Sequence, residues 1–170
     1  MKKVLIIDTS ILCVLLEIPN MNTCGPDNDR WNKQRVDEKI KTEAGNATTF
    51  VLPLATIIET GNHIAQSAHS RKERAELLAN FMKKSADNET PWAAFSDQSI
   101  LWSPEQMKEL ADSWPPLADQ KLSLGDATIK DVAEYYARMS FKVEILTGDN
   151  GLKAYEPIAP PEIPRRRSRQ

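Results

Sequence analysis

The reading of "KVLIIDTS", residues 3–10, decides the fold. Val4, Leu5, Ile6 and Ile7 form an unbroken apolar run rich in β-branched residues. A run without alternation reads as a strand covered on both faces, the habit of a central strand in a parallel sheet. The run stops at Asp8, and two hydroxyls follow, Thr9 and Ser10. A lone carboxylate at the edge of a core is costly to desolvate. Asp8 is therefore compensated locally, as a helix N-cap, or its charge has a use. Thr9 or Ser10 is placed to cap a short helix over residues 11–17.

Outward from that strand, helices and strands alternate. Residues 19–30 are rich in turn formers and read as a loop, and residues 31–43 as a mostly polar helix carrying Val36 and Ile40. A second strand is expected at residues 49–54. Thr56 then caps a helix whose apolar face is Ile57, Ile58, Gly61, Ile64, Ala65 and Ala68. Residues 71–84 give another helix, with Leu77, Leu78, Phe81 and Met82 inward. Residues 99–102 are a candidate edge strand. "SPEQMKEL" opens a helix with Ser103 as cap and Pro104 at its first position, and "SWPPLAD" reads as loop. A helix from Gly125 and Asp126 to about residue 139 turns Ile129, Val132, Ala133, Tyr136 and Ala137 inward. A strand at 141–146 and a short helix at 149–155 follow. This order predicts an α/β class, a three-layer α/β/α arrangement with a mainly parallel central sheet.

The chain has 170 residues, 41% apolar and 27% charged, which predicts one soluble globular domain with a substantial core. No apolar run reaches the roughly 18 residues a membrane span needs. Asp8 interrupts the one stretch resembling a secretion signal, so a cytoplasmic location is expected. Cys13 and Cys24 are expected as free thiols, Cys13 in the core. Net charge is −2. The stretch from Pro157 holds four arginines and one glutamate, so it contributes +3 and leaves −5 on residues 1–156. Residues 157–170 read as an extended Pro/Arg-rich tail beyond a domain of residues 1–156. That balance lacks the basic footprint of a tight, non-specific nucleic-acid binder.

In open parallel sheets, ligands bind beyond the carboxyl ends of the strands. Asp8 ends the first strand. Asp149 lies three residues past Leu146, in "LTGDNGL". Asp126 opens a helix in "LGDATI", and Glu59 falls in the first turn of the helix after the second strand. If the strands are parallel neighbours, the four acids share one crevice. Carboxylates packed together repel, and a divalent cation relieves the conflict. All-oxygen ligands suit Mg²⁺ or Mn²⁺. Such an ion lowers the pKa of bound water and stabilises a leaving oxygen, which points to phosphodiester hydrolysis.

"LIIDTSIL", "IIETGNHI", "LGDATIKDVA" and "ILTGDNGLKAY" resemble, in order, the four acidic motifs of PIN-domain ribonucleases of the VapC-like toxin type. The resemblance spans about residues 2–155. It implies a Mg²⁺- or Mn²⁺-dependent endoribonuclease, often the toxin of a toxin–antitoxin pair. It implies that Asp8, Glu59, Asp126 and Asp149 are the metal-site and catalytic carboxylates. Ser10 and Thr147 occupy the family's small polar positions. Asn62, on the helix face of Glu59, is a candidate substrate contact. Lys130, one turn beyond Asp126, is a candidate phosphate contact. Single-stranded or looped RNA is the expected substrate. An antitoxin or other protein partner and a homodimer are open, and no membrane is involved. Asp131 reads as a surface acid, His63 as a surface or interface residue, and the four tryptophans as packing groups. Two rivals stand beside this: a catalytically inactive PIN-like interaction scaffold, and a phosphatase with Asp8 as nucleophile. The second needs an acid where Ser10 stands.

Overall fold

A computed structural model describes residues 1–159. The tail's arginines, Arg165, Arg166, Arg167 and Arg169, lie outside the described residues. The predicted first strand forms as β1 (Lys3–Ile7). It lies at the centre of a three-stranded parallel sheet, between β4 (Thr49–Val51) and β5 (Lys142–Leu146). Val4 pairs with Thr49 on one side and Val143 on the other. Between β1 and β4 come α1 (Thr9–Leu15), two short strands β2 (Thr23–Cys24) and β3 (Trp31–Asn32), and α2 (Lys33–Gly45). Between β4 and β5 come α3 (Leu54–Gln66), α4 (Arg71–Ala86), α5 (Pro104–Asp119) and α6 (Leu124–Arg138). A last short helix, α7 (Asn150–Lys153), follows β5.

The pleat of β1 divides the core. Leu5 and Ile7 join α1, Val36, Ile64 and Leu78 on one face. Val4 and Ile6 join Ile129, Val132, Ala133 and Tyr136 of α6 on the other. Helices thus pack on both faces of a parallel sheet, as the unalternated run in β1 requires. Fully burying each such side chain stabilises the fold by about 1.5–3 kcal/mol. Among the described residues no helix is long and apolar enough to cross a membrane.

Several local expectations are corrected. Asp8, not Thr9 or Ser10, caps α1, its side chain accepting from the Ser10 N–H. Residues 23–32 are not a plain loop: β2 and β3 pair antiparallel around a 3₁₀ turn at Asp27–Asp29, and α2 starts only at Lys33. Thr56 lies within α3 and is fully buried, its hydroxyl donating to the Ile7 carbonyl at 2.9 Å. Because α3 begins at Leu54, Glu59 sits in its second turn. Ile58, Leu77 and Met82 are exposed rather than inward. The expected edge strand at 99–102 is part of a 3₁₀ helix, Phe95–Trp102, held where Gln98 donates to the Leu52 carbonyl. Helix α5 runs through Pro115 and Pro116 despite the lost backbone bonds. Packing of Leu110, Trp114 and Leu117 with Leu122 and Ala127 holds that turn, and the Trp114 indole donates to the Leu122 carbonyl at 3.1 Å.

Candidate metal centre

Asp8 is 4% exposed and its hydrogen bonds all fall on one oxygen. Oδ2 accepts from the Ser10 hydroxyl at 2.7 Å, the Thr147 hydroxyl at 2.7 Å and the Ser10 N–H at 3.3 Å. Each hydroxyl spends its single proton on Asp8 and takes one in return. Ser10 Oγ accepts from the Gly148 N–H at 3.0 Å, and Thr147 Oγ1 from the Asp149 N–H at 2.9 Å. The end of β1 is thereby stitched to the turn after β5, and the Asp8 carboxylate has a fixed orientation. Among the described residues Oδ1 receives no hydrogen bond, so it is the oxygen left for an external ligand. Capping and function are not alternatives for Asp8: one oxygen caps α1 while the other stays available.

Asp149 caps α7, its Oδ1 accepting from the Gly151 N–H at 2.6 Å. Glu59 reaches back from α3, and its Oε2 accepts from the Thr9 hydroxyl at 2.9 Å. Its other oxygen lies over the backbone of Gly125, where an added Cβ would stand 2.1 Å from Oε1. Asp126 is in the first turn of α6, which Ser123 caps through the Asp126 N–H at 3.0 Å. Burial pushes the Asp126 carboxyl above the usual carboxylate range. The Ser123 hydroxyl opposes this, and the charges of Asp8, Asp149 and Glu59 push it further up. Asp126 thus feels the charges of the other three predicted acids. None of the four forms an ion pair among the described residues.

No family model, no curated protein and no solved structure matches the chain.

The donor set is entirely carboxylate and hydroxyl oxygen, which suits a hard divalent cation. Among the described residues no three His, Cys, Asp or Glu side chains are grouped closely enough to form a ready metal cage. Mg²⁺ does not require one: it keeps several waters and is commonly bound through one or two carboxylates. The donor chemistry of Asp8, Glu59, Asp126 and Asp149 is thus of the kind that would hold such an ion.

The remaining predicted residues are placed less centrally. Asn62 is exposed one turn past Glu59. Lys130 turns along α6 to Glu134, 2.6 Å away, and to Asp131 at 3.8 Å. Asp131 is no freely solvated acid: burial pushes its carboxyl up, and Lys130 partly restores it. Cys13 is buried and free, as expected. Sequence reasoning missed Thr9, which anchors Glu59, and the two glycines that precede acids. An added Cβ on Gly148 would stand 2.7 Å from Cys24 Sγ and 2.7 Å from the Gly25 nitrogen. The signal was the repeated Gly-Asp pair, Gly125–Asp126 and Gly148–Asp149, at the mouths of two elements.

Proposed function

We propose that this chain is a PIN-like, Mg²⁺- or Mn²⁺-dependent endoribonuclease acting on single-stranded or looped RNA. The observation that supports the reading is that Asp126 feels the charges of Asp8, Asp149 and Glu59, and that none of the four forms an ion pair among the described residues. Leaving four acids together uncompensated is costly, and a bound cation makes the arrangement favourable. That cation would supply Lewis-acid activation of water and charge neutralisation at the scissile phosphate. Ser10 and Thr147 hold Asp8 in one orientation, so its free oxygen needs no reorganisation on binding. Glu59, anchored through Oε2, has Oε1 to accept a proton from the attacking water as the new O–P bond forms. The broken P–O bond leaves with the ribose oxygen, which is protonated from solvent.

Because no three of these side chains are grouped closely enough for a ready metal cage among the described residues, one rival stands, an interaction scaffold without catalysis. Incubation of mixed single-stranded RNA with Mn²⁺ separates the two. The wild type is expected to cut, and Asp8→Asn and Asp126→Asn to lose at least about 100-fold in rate with unchanged circular dichroism. Intact RNA in the wild-type lane, together with no Mn²⁺ uptake by calorimetry, would establish the scaffold instead. A toxin's role in a toxin–antitoxin or defence system would follow if expression of the wild type, and not of Asp8→Asn, arrests growth.

A further inference from the structure

Under the proposed function an acidic body has to hold a polyanion, and Lys130 is already engaged by Glu134. The β2–β3 hairpin meets the other side of the centre. Its Cys24 and Gly25 pack directly on the Gly148 backbone, the turn that carries Thr147 and Asp149. The Ser10 hydroxyl, which orients Asp8, lies beside the Cys24 thiol. Burial pushes that thiol up, Ser10 lowers it, Asp8 raises it, and Arg30 and Arg35 pull it down again.

The hairpin is built to hold its shape. Gly25 has φ +87°, and a Cβ there would stand 2.5 Å from the Asp29 carbonyl oxygen, so only glycine fits. Trp31 packs against the core, with the Arg35 guanidinium 3.7 Å above its ring. Arg35 donates to the Arg30 carbonyl at 2.9 Å and pairs with Asp29 at 2.7 Å. Arg35 therefore braces the backbone of Arg30. The Arg30 side chain itself is 46% exposed and pairs only with Asp27, whose side chain is 98% exposed. An exposed pair of this kind is worth little and exchanges readily for a phosphate.

We infer that this hairpin is the RNA-gripping arm of the centre. Arg30 contacts a backbone phosphate of the single strand that Asp8 and Asp126 address, and Arg35 on Trp31 positions it. The inference rests on the nuclease reading and supplies the substrate contact that reading lacks.

Fluorescence anisotropy with a fluorescein-labelled single-stranded oligoribonucleotide tests it, in EDTA on an Asp126→Asn background. Arg30→Glu is expected to weaken binding about 10-fold near 50 mM salt and to reduce the slope of log K against log salt by about 1. Arg30→Lys should keep the slope. Asp27→Asn, which frees Arg30, should tighten binding about 2-fold. A purely structural hairpin would change neither slope nor the Asp27 response. Unchanged affinity in both Arg30→Glu and Asp27→Asn overturns the inference. If Arg30→Glu melts early, unchanged affinity in Asp27→Asn alone does so. Continued RNA cutting by the wild type would then leave the nuclease reading standing, whereas absence of both cutting and RNA binding overturns the two together.

Discussion

Glu43 and Asp126 are carboxylates drawn out of water beside the same three-stranded sheet, and their acidities move in opposite directions. Glu43, on α2, is 5% exposed. Burial opposes its ionisation, but hydrogen bonds from Lys3, Lys39 and Thr48 at 2.5–2.8 Å overcome that and hold its pKa down at about 2. Glu144 on β5 joins the same two lysines and is lowered likewise, against its own burial. Asp126 has three acids for neighbours and no cation, and its pKa is raised. A fold that pairs a buried and a half-buried glutamate with two lysines has left Asp8, Glu59, Asp126 and Asp149 without an ion pair among the described residues. The difference teaches that the first cluster serves stability, whereas under the proposed function the second awaits a cation.

Breaking the paired cluster should have the largest effect on stability. Glu43→Ala leaves the buried Thr48 hydroxyl without its acceptor and Lys3 and Lys39 with Glu144 alone. Both lysines keep about a quarter of their surface in water. The expected cost is therefore about 2–3 kcal/mol, below the 3–5 kcal/mol typical of a fully buried pair. Urea denaturation should show it as a lower midpoint at unchanged slope. The pH dependence follows from the sign of the shift. A folded pKa of about 2, below the unfolded value near 4.3, gives stability that is present above about pH 4.3 and is lost as pH falls toward 2. The loss is on the order of 3 kcal/mol, and Glu43→Ala should flatten that acid limb.

The unpaired cluster should respond in the reverse sense. Mn²⁺ at about ten times its Kd should stabilise the wild type by about 1.4 kcal/mol, or a Tm rise of roughly 3–6 °C. Asp126→Asn should abolish most of that rise. In EDTA at neutral pH the same variant should be more stable than wild type. The raised pKa means that the ionised Asp126 costs the fold as pH rises through it, and Asn removes that cost. Scanning calorimetry with and without Mn²⁺ checks both. A metal-free loss of stability would mean that Asp126 is a structural acid like Glu43.

The two clusters were not equally legible in the sequence. Asp8, Asp126 and Asp149 announce themselves because each interrupts a pattern at the mouth of a helix, where a carboxylate is local information. Glu43 looks like an ordinary solvated helix acid, four residues from Lys39. Its partners Lys3 and Thr48 and the neighbouring Glu144 are set by how α2 lies on the sheet, which no periodicity reports. The hairpin escaped because two-residue strands are too short to alternate. The extension of α5 escaped because two prolines outweigh any local helix signal, and only the tertiary seat of Trp114 reverses it. Asn62 and Lys130 share helix faces with Glu59 and Asp126, as the 3.6 period requires, but side-chain partners decide where such groups turn.

The smallest effect on stability sharpens the comparison most, because it separates fold from function within one cluster. A methyl group on Gly125 falls 2.1 Å from Glu59 Oε1, the end of a flexible side chain, and otherwise meets only Ala55 Cβ at an ordinary 3.7 Å. Glu59 can swing aside, and alanine is the better helix former by up to about 1 kcal/mol. Gly125→Ala should therefore leave the urea midpoint within about 0.5 kcal/mol of wild type. On Gly148 the same methyl meets the Gly25 backbone nitrogen, which cannot step aside so easily. The displaced Glu59 loses its position over the start of α6, so under the proposed function RNA cutting by Gly125→Ala should fall about 10-fold with little change in Mn²⁺ affinity. Equal cutting rates in Gly125→Ala and wild type would show that the placement of Glu59 over Gly125 is packing, and would remove it as the base of the proposed reaction.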